Sequence, residues 1–179
     1  MAADRETCDA ASALLDLCKA KGLMVATAES CTGGLVAGAL TDIAGSSAVV
    51  DRGFVTYTNA AKEQMLGVPA ETLKRYGAVS RETAEAMAKG VLANAAAHLA
   101  VSTTGIAGPD GGSSEKPVGL VHFAAAARGG RLIHRERRFG NVGRAEVRRA
   151  RASNAVAKRR KAASNIEPMS TPSIRLRNS

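Results

Sequence analysis

The stretch Ala28-Glu29-Ser30-Cys31-Thr32-Gly33-Gly34 decides how this chain begins to fold. An apolar run at 23–26 precedes it, and a run with apolar residues at helical spacing, 35–40, follows it. This order predicts a strand, a polar turn and a helix. The turn has hydroxyls, a thiol, a carboxylate and two glycines where the first free N–H groups of a helix point, which favours binding of an anion or a developing oxyanion. A glycine-rich turn of this kind also occurs for packing alone.

A second turn of similar character follows another apolar run, at 99–101. Its sequence is Thr103-Thr104-Gly105-Ile106-Ala107-Gly108-Pro109-Asp110-Gly111-Gly112. Ligands of open α/β sheets bind outside the carboxyl ends of the strands, where such turns converge. We therefore expect the two turns to line one crevice. The alternative is a plain surface turn, since Gly, Pro and Asp are common turn residues.

The length of the chain favours one domain with one core. Its 179 residues are 45% hydrophobic, which is enough for a single well-packed core. We expect that domain to span 1–163 and the remaining 164–179 to form a disordered basic tail. No apolar run reaches membrane-spanning length, and the first residues lack the basic and apolar regions of a signal peptide. A cytoplasmic protein without membrane contacts is therefore expected.

The positive charge of the chain is concentrated near its C-terminus. Residues 1–143 hold 15 Lys and Arg against 14 Asp and Glu, whereas 144–179 hold 10 against 2. Nucleic-acid binding is therefore expected only through the basic tail, if at all. The body also offers little for base stacking, because the chain has no Trp, two Tyr and three Phe.

The three cysteines, Cys8, Cys18 and Cys31, follow no metal-ligand spacing and are interpreted as reduced thiols, with no metal site. Cys31 is intrinsically the strongest nucleophile of its turn. No histidine falls within the two turns to activate it. Cys31 is therefore interpreted as structural rather than nucleophilic.

Apolar spacing outside the two turns predicts alternating helices and strands. Helices are expected at 8–21, 32–43, 60–66 and 80–98, with a break at 67–69, and extended segments at 23–26, 49–50, 54–57, 99–101, 118–126 and 132–139. The last two segments flank Arg128-Gly129-Gly130 and are expected to pair as an antiparallel hairpin. This order predicts a three-layer α/β/α fold with a mixed, mostly parallel sheet and one antiparallel hairpin. A basic helix at 144–163 carries few large apolar residues and is expected to be a weak core element.

Ser47, Tyr57 and Lys62 form a third candidate group. Lys62 falls at about the third position of the helix expected after Thr58 or Asn59, where the positive end of the helix dipole opposes an ammonium. A lowered lysine pKa would let the neutral amine act as a base for a serine nucleophile. On spacing alone, the more ordinary explanation is a capping Ser, a strand Tyr and a solvated Lys, because such residues occur by chance in most domains.

Five motifs, the last of them in two parts, resemble one family in order and spacing. They are AESCTGG (28–34), TDIAGSS (41–47), RGFVTYTNAAK (52–62), GAVS (77–80), TGIAGPDGG (104–112) and KPVG (116–119). The chain resembles the nicotinamide-nucleotide amidase family, the C-terminal domain of the competence/damage-inducible protein CinA. The resemblance implies hydrolysis of nicotinamide mononucleotide to nicotinate mononucleotide and ammonia, a pyridine-nucleotide salvage step, without a metal or organic cofactor. A homo-oligomer is expected.

The resemblance also implies the roles of particular residues. It assigns catalysis to Ser47, Tyr57 and Lys62, although Ser30, at a strand-to-helix turn, is physically also a good position for a nucleophile. Substrate binding is expected from the two turns, at Glu29, Ser30, Cys31, Thr32, Gly33, Gly34, Thr104, Gly105, Gly108 and Asp110. The pattern departs from the family after Glu146, where arginines and lysines replace the apolar residues of a closing helix.

Two other functions remain open on the sequence alone. A non-catalytic nucleotide-binding or regulatory module, related to competence and DNA-damage proteins, would keep the same crevice. A nucleic-acid-associated protein would act through the basic tail, and its binding would fall with salt.

Overall fold

The computed structural model describes residues 4–157 of the chain. A five-stranded sheet lies between two layers of helices. The strands are β1 (Val25–Glu29), β2 (Val50–Val55), β3 (Leu99–Gly105), β4 (Leu120–Ala127) and β5 (Leu132–Arg138). The helices are α1 (Arg5–Ala20), α2 (Leu35–Thr41), α3 (Asn59–Leu66), α4 (Ala70–Tyr76), α5 (Arg81–Asn94) and α6 (Arg144–Ala157).

The sheet is mixed, as the sequence predicts, with strand order β2-β1-β3-β4-β5. The central strand β1 is parallel to both β2 and β3, whereas β3 pairs with β4 and β4 with β5 in antiparallel fashion. Every residue of β1 is buried, as is typical of a strand covered on both faces. The three-layer α/β/α fold and its antiparallel hairpin are therefore confirmed.

Alternate residues of the strands face two different apolar clusters. Val25 and Val101 pack with α1 and α2, and this cluster also contains Ala155 of α6. On the other face, Ala26, Ala28, Ala100 and Ala124 pack against α5. These small side chains let the helix layer come close. At Gly90 of α5, a Cβ atom would lie only 2.1 Å from the carbonyl oxygen of Leu66, so α3 can sit directly against α5 only because residue 90 is a glycine.

Several element boundaries differ from the predicted ones. The segment 67–69 is not a plain break, because Pro69 is the N-cap of α4, a helix that the sequence analysis did not predict. Helix α5 ends at Asn94 instead of 98, and the segment 95–98 leads into β3. Its start was predicted correctly, since Ser80 Oγ accepts from the Thr83 N–H at 3.1 Å.

The C-terminal helix α6 packs against the α1 and α2 layer, and Val147 and Ala155 are fully buried there. It is thus better anchored than its basic sequence suggests. The predicted tail at 164–179, and the end of the helix expected to reach 163, lie outside the described residues. No helix among residues 4–157 combines the length and apolarity needed to cross a membrane.

Candidate active site

Ser30 begins the turn after β1, and the neighbouring strand fixes its backbone. The Ser30 N–H donates to the carbonyl oxygen of Thr103 at 3.0 Å, and the hydroxyls of Thr32 and Thr103 lie 2.8 Å apart. Because β1 and β3 are parallel, their following turns leave the sheet at the same edge. The predicted convergence of the two turns is confirmed.

Glu29 holds the N-terminus of α2. Its side chain is fully buried, and its carboxylate accepts from the N–H groups of Gly34 (3.0 Å), Val36 (3.0 Å) and Ala37 (2.8 Å). The N-cap residue Gly34 has no side chain to do this, so Glu29 takes over the role. The expectation that these N–H groups bind a substrate anion is corrected, because the Glu29 side chain accepts from all three. Substrate contact by Glu29 stays a prediction.

Lys62 reaches the same turn from the opposite helix layer. It is 1% exposed, and its Nζ lies 3.1 Å from Ser30 Oγ, 2.9 Å from the carbonyl oxygen of Thr56 and 3.5 Å from that of Thr58. Thr58 caps α3, and its Oγ1 accepts from the Ala61 N–H at 3.1 Å. Lys62 is therefore the fourth residue of its helix, one position later than predicted.

Burial lowers the pKa of Lys62, because an ammonium is poorly solvated there, while the nearby Cys31 thiol acts in the opposite direction. A neutral amine has two N–H donors and one lone pair. The carbonyl oxygens of Thr56 and Thr58 can accept the two N–H groups. The lone pair is then available to the Ser30 hydroxyl, so the pair can transfer a proton from serine to lysine.

Ser47 lies away from this pair. It is exposed in a short 3₁₀ helix, Ser46–Ala48, which precedes β2. The register pairs Val50 with Val25 and Val55 with Glu29. Ser47 therefore lies near the N-terminal ends of β1 and β2, whereas Ser30 follows the C-terminal end of β1. By the rise of the strand, the two serines are roughly 16 Å apart. The predicted grouping of Ser47 with Lys62 within one chain is therefore corrected, and Ser30, the alternative, occupies the place beside the amine.

Tyr57 follows the C-terminal end of β2, at the same end of the sheet as Ser30, but its hydrogen-bond partner differs from the predicted one. Its side chain is exposed, and its hydroxyl oxygen accepts from Arg144 of α6 at 2.6 Å. The same guanidinium donates to the carbonyl oxygen of Gly108 at 2.9 Å. Tyr57 therefore stands at the mouth of the site, with its hydroxyl hydrogen-bonded to Arg144 instead of Lys62.

The second turn contributes mainly to the framework. The hydroxyl of Thr104 is buried and donates to the Ala78 carbonyl oxygen at 2.6 Å. At Gly105 an added Cβ would lie 2.5 Å from the carbonyl oxygen of Leu120, so the glycine is needed for backbone packing. Thr104 and Gly105 thus have structural contacts, and their substrate contacts stay a prediction. Asp110 is exposed beside Gly108.

Arg144 and Arg148 are site residues that the sequence analysis missed. Arg148 donates to the Thr32 carbonyl oxygen at 2.9 Å, and a Cβ on Gly33 would lie 2.9 Å from its Nη2 atom. The available signal was the spacing of four between two arginines, which puts them on one helix face. Within residues 4–157, no group of three or more His, Cys, Asp or Glu side chains is placed to hold a metal ion.

Comparison with protein families matches residues 8–162 to the CinA C-terminal domain. This chain belongs to that family. The CinA domain described here is 61% identical to the nicotinamide-nucleotide amidohydrolase PncC of Enterobacter agglomerans over 121 residues, 68% of this chain and 74% of that protein. It is 62% identical to PncC of Escherichia coli K12 over 119 residues, 66% of this chain and 72% of that protein.

A solved CinA-type structure has the same architecture. The competence/damage inducible protein CihA from Agrobacterium tumefaciens superposes with a TM-score of 0.88 at 55% sequence identity. The match covers 92% of this chain and 99% of that one. The similarity therefore extends over most of this chain.

Proposed function

We propose that this chain is a nicotinamide-nucleotide amidase that converts nicotinamide mononucleotide and water into nicotinate mononucleotide and ammonia. The names of the relatives PncC support the reaction and the substrate class. The single observation that carries the mechanism is the buried contact of 3.1 Å between Lys62 Nζ and Ser30 Oγ. Serine with a neutral lysine base is an established arrangement for acyl transfer.

In the proposed first half-reaction, the Ser30 hydroxyl gives its proton to neutral Lys62 while Oγ attacks the carboxamide carbon. The tetrahedral intermediate collapses when Lys62 returns the proton to the amide nitrogen, and ammonia leaves. A nicotinoyl ester on Ser30 remains. In the second half-reaction, Lys62 takes a proton from water, hydroxide attacks the ester, and the acid is released as Ser30 regains its proton. A positioned base of this kind contributes about 10²–10⁴-fold.

The oxyanion is assigned to the backbone of the same turn. Glu29 already accepts from the N–H groups of Gly34, Val36 and Ala37, and the Gly33 N–H donates to the Ser30 carbonyl oxygen at 3.1 Å. The Thr32 N–H has no acceptor among the described residues. It is therefore our choice of oxyanion donor. Tyr57 is assigned to contact with the substrate at the mouth of the site.

Ammonia release tests this function directly. The full chain is mixed with nicotinamide mononucleotide, and ammonia and nicotinate mononucleotide are both quantified, with Lys62→Met as the matched inactive variant. We expect equal amounts of the two products from the unmodified chain and neither above background from the variant. Binding of the nucleotide without release of ammonia would instead identify a non-catalytic binding module. A cytoplasmic homo-oligomer in pyridine-nucleotide salvage, without a cofactor, remains our expectation for the enzyme.

A further inference from the structure

Thr56 has a buried hydroxyl to which the proposed mechanism gives no role. The residue follows the end of β2, and its side chain is fully buried. Its Oγ1 atom has no hydrogen-bond partner among the described atoms. A buried hydroxyl without a partner costs free energy, and a valine of nearly the same size would avoid that cost. The threonine therefore indicates that a polar group belongs beside Oγ1.

The backbone of Thr56 lies beside the proposed nucleophile. Its N–H donates to the carbonyl oxygen of Glu29 at 2.8 Å, which continues the parallel pairing of β2 with β1 beyond Val55. Neighbouring strands are about 4.8 Å apart, so Thr56 and Ser30 lie side by side at this end of the sheet. Phe54 packs against the apolar cluster on the α5 side, and the alternation of strand residues directs the Thr56 side chain to that side as well.

Lys62 reaches both residues from the same side of the sheet, because its helix α3 packs against α5. Its Nζ atom lies 2.9 Å from the carbonyl oxygen of Thr56 and 3.1 Å from Ser30 Oγ. The proposed base is therefore in contact with the nucleophile and with the residue that has the unpartnered hydroxyl.

We propose that Thr56 Oγ1 and Lys62 Nζ together hold the water molecule that releases the acid, which makes Thr56 a water-positioning residue. One water with two hydrogen bonds joins polar atoms up to about 5 Å apart, so it can connect neighbouring groups that do not touch. Buried waters are normally held by polar groups that lack other partners, as Thr56 Oγ1 does among the described atoms. The inference deepens the proposed function and rests on it, because this water attacks the ester on Ser30.

The water reacts in the second half-reaction. One of its O–H bonds breaks as the proton moves to the lone pair of neutral Lys62, while its other O–H donates to Thr56 Oγ1. The water oxygen forms a bond to the ester carbon, and the bond between that carbon and Ser30 Oγ then breaks. Lys62 returns the proton to Ser30 Oγ, so both residues regain their starting states as the acid is released.

The first half-reaction depends less on the Thr56 hydroxyl. The carboxamide is attached to the rest of the nucleotide, which holds it in place, whereas a water molecule is oriented only by its own hydrogen bonds. Loss of the hydroxyl should therefore slow the attack of water on the ester more than the attack of Ser30 on the amide. General damage to the site would slow both steps.

Trapping the ester with hydroxylamine tests this assignment. At a fixed concentration, hydroxylamine competes with water for the ester and forms a hydroxamate. The ratio of hydroxamate to nicotinate mononucleotide then reports the attack of water, whichever step limits turnover. Thr56→Val removes the hydroxyl at nearly constant size, and Thr56→Ser keeps it. Thr83→Val is the matched control, because Thr83 is also fully buried and its hydroxyl donates to the Gly77 carbonyl oxygen at 2.7 Å.

We expect the hydroxamate ratio to rise at least tenfold in Thr56→Val, since water loses one of the two groups that orient it. The ratio in Thr56→Ser and Thr83→Val should stay within about twofold of that of the unmodified chain. Mass spectrometry of the intact chain during turnover gives a second readout. Thr56→Val should accumulate more of the acylated chain, which is heavier by the mass of the substrate less that of ammonia. Its kcat/KM, which reports the steps up to ester formation, should stay within about threefold.

The outcomes separate this inference from the proposed function. Ammonia release by the unmodified chain, with an unchanged hydroxamate ratio in Thr56→Val, would overturn the water-positioning role and leave the amidase intact. A lower kcat/KM with an unchanged ratio would overturn it too, by assigning the hydroxyl to the carboxamide. If Thr56→Val does not fold, Thr56→Ala removes the same hydroxyl and is judged by the same ratio. No ammonia from the unmodified chain would reject the amidase and this inference with it.

Discussion

Ser30 Oγ and Lys62 Nζ lie 3.1 Å apart in a buried contact, although 32 residues separate them in the chain. The contact joins the two helix layers, because Ser30 starts the turn into α2 and Lys62 extends from α3. Two backbone carbonyl oxygens hold the amine in place. The proton donor and acceptor of the proposed reaction are therefore positioned before substrate arrives.

Removing one serine hydroxyl at a time identifies the nucleophile. We expect Ser30→Ala to lower kcat by at least about 10²-fold, because it removes the attacking atom. The kcat of Ser47→Ala should stay within a few-fold of that of the unmodified chain, since Ser47 lies at the opposite end of the strands from Ser30 and Lys62. Steady-state ammonia release measures both, with circular dichroism as the folding control. The reverse ranking of the two serines would move the nucleophile to Ser47.

The pH dependence of kcat/KM reports the protonation of Lys62. Because burial lowers its pKa, activity should rise with pH along a limb whose midpoint lies below the ordinary lysine value of about 10.4. The Lys62→Met variant should lose this limb along with most of its activity. A residual activity with the same limb would assign the base to another group.

The same pKa shift has a consequence for stability. A lysine whose folded-state pKa lies below its unfolded-state pKa binds its proton less well when folded, so it destabilises the fold at pH values below the unfolded pKa. Stability rises with pH between the two pKa values. We therefore expect Lys62→Met to raise the free energy of unfolding at neutral pH and to lose this advantage toward pH 10. Urea denaturation at several pH values measures it, and Lys89→Met, on α5, is the control.

Glu29→Gln tests the internal cap of α2. An amide keeps the size of the side chain but presents an NH₂ group to backbone N–H donors, so at least one of the three hydrogen bonds is lost. We expect a loss of about 2–3 kcal/mol in the free energy of unfolding, together with lower activity because the Ser30 turn shifts. The exposed Glu63→Gln is the matched control and should change neither. If Glu29→Gln left the free energy of unfolding unaltered and only raised KM, Glu29 would instead be a substrate-binding residue.

Two truncations test the C-terminal segment. Ending the chain after residue 143 removes α6 with its buried Val147 and Ala155, and we expect it to cost about 2–4 kcal/mol and most of the activity. Ending it after residue 163 should leave activity and thermal stability nearly unchanged if the tail is disordered as the sequence predicts. Thermal unfolding and ammonia release measure both. If the chain that ends after residue 163 failed to fold, the removed tail would belong to the domain.

Sequence reasoning predicted the local structure well and the long-range contacts only in part. The strand, turn and helix around Ser30, the cap of α5 at Ser80 and the terminal hairpin all follow from local patterns. The choice between Ser30 and Ser47 depends instead on the register of β1 against β2, which no local pattern encodes. The roles of Glu29 and Arg148 depend on where a side chain points in three dimensions, and both residue types are ordinary at exposed positions.

The three hydrogen bonds that assemble the site close very different lengths of chain. The Lys62–Ser30 contact spans 32 residues, the Arg144–Tyr57 contact 87 and the Arg148–Thr32 contact 116. Loop closure becomes more costly in entropy as the loop lengthens, and α6 is the last described helix to leave the ribosome. We expect the serine and lysine to meet early in folding and the arginines to arrive last. In a nascent chain without α6, the serine and lysine would then already be in contact, but the two arginine side chains would still be missing from the site.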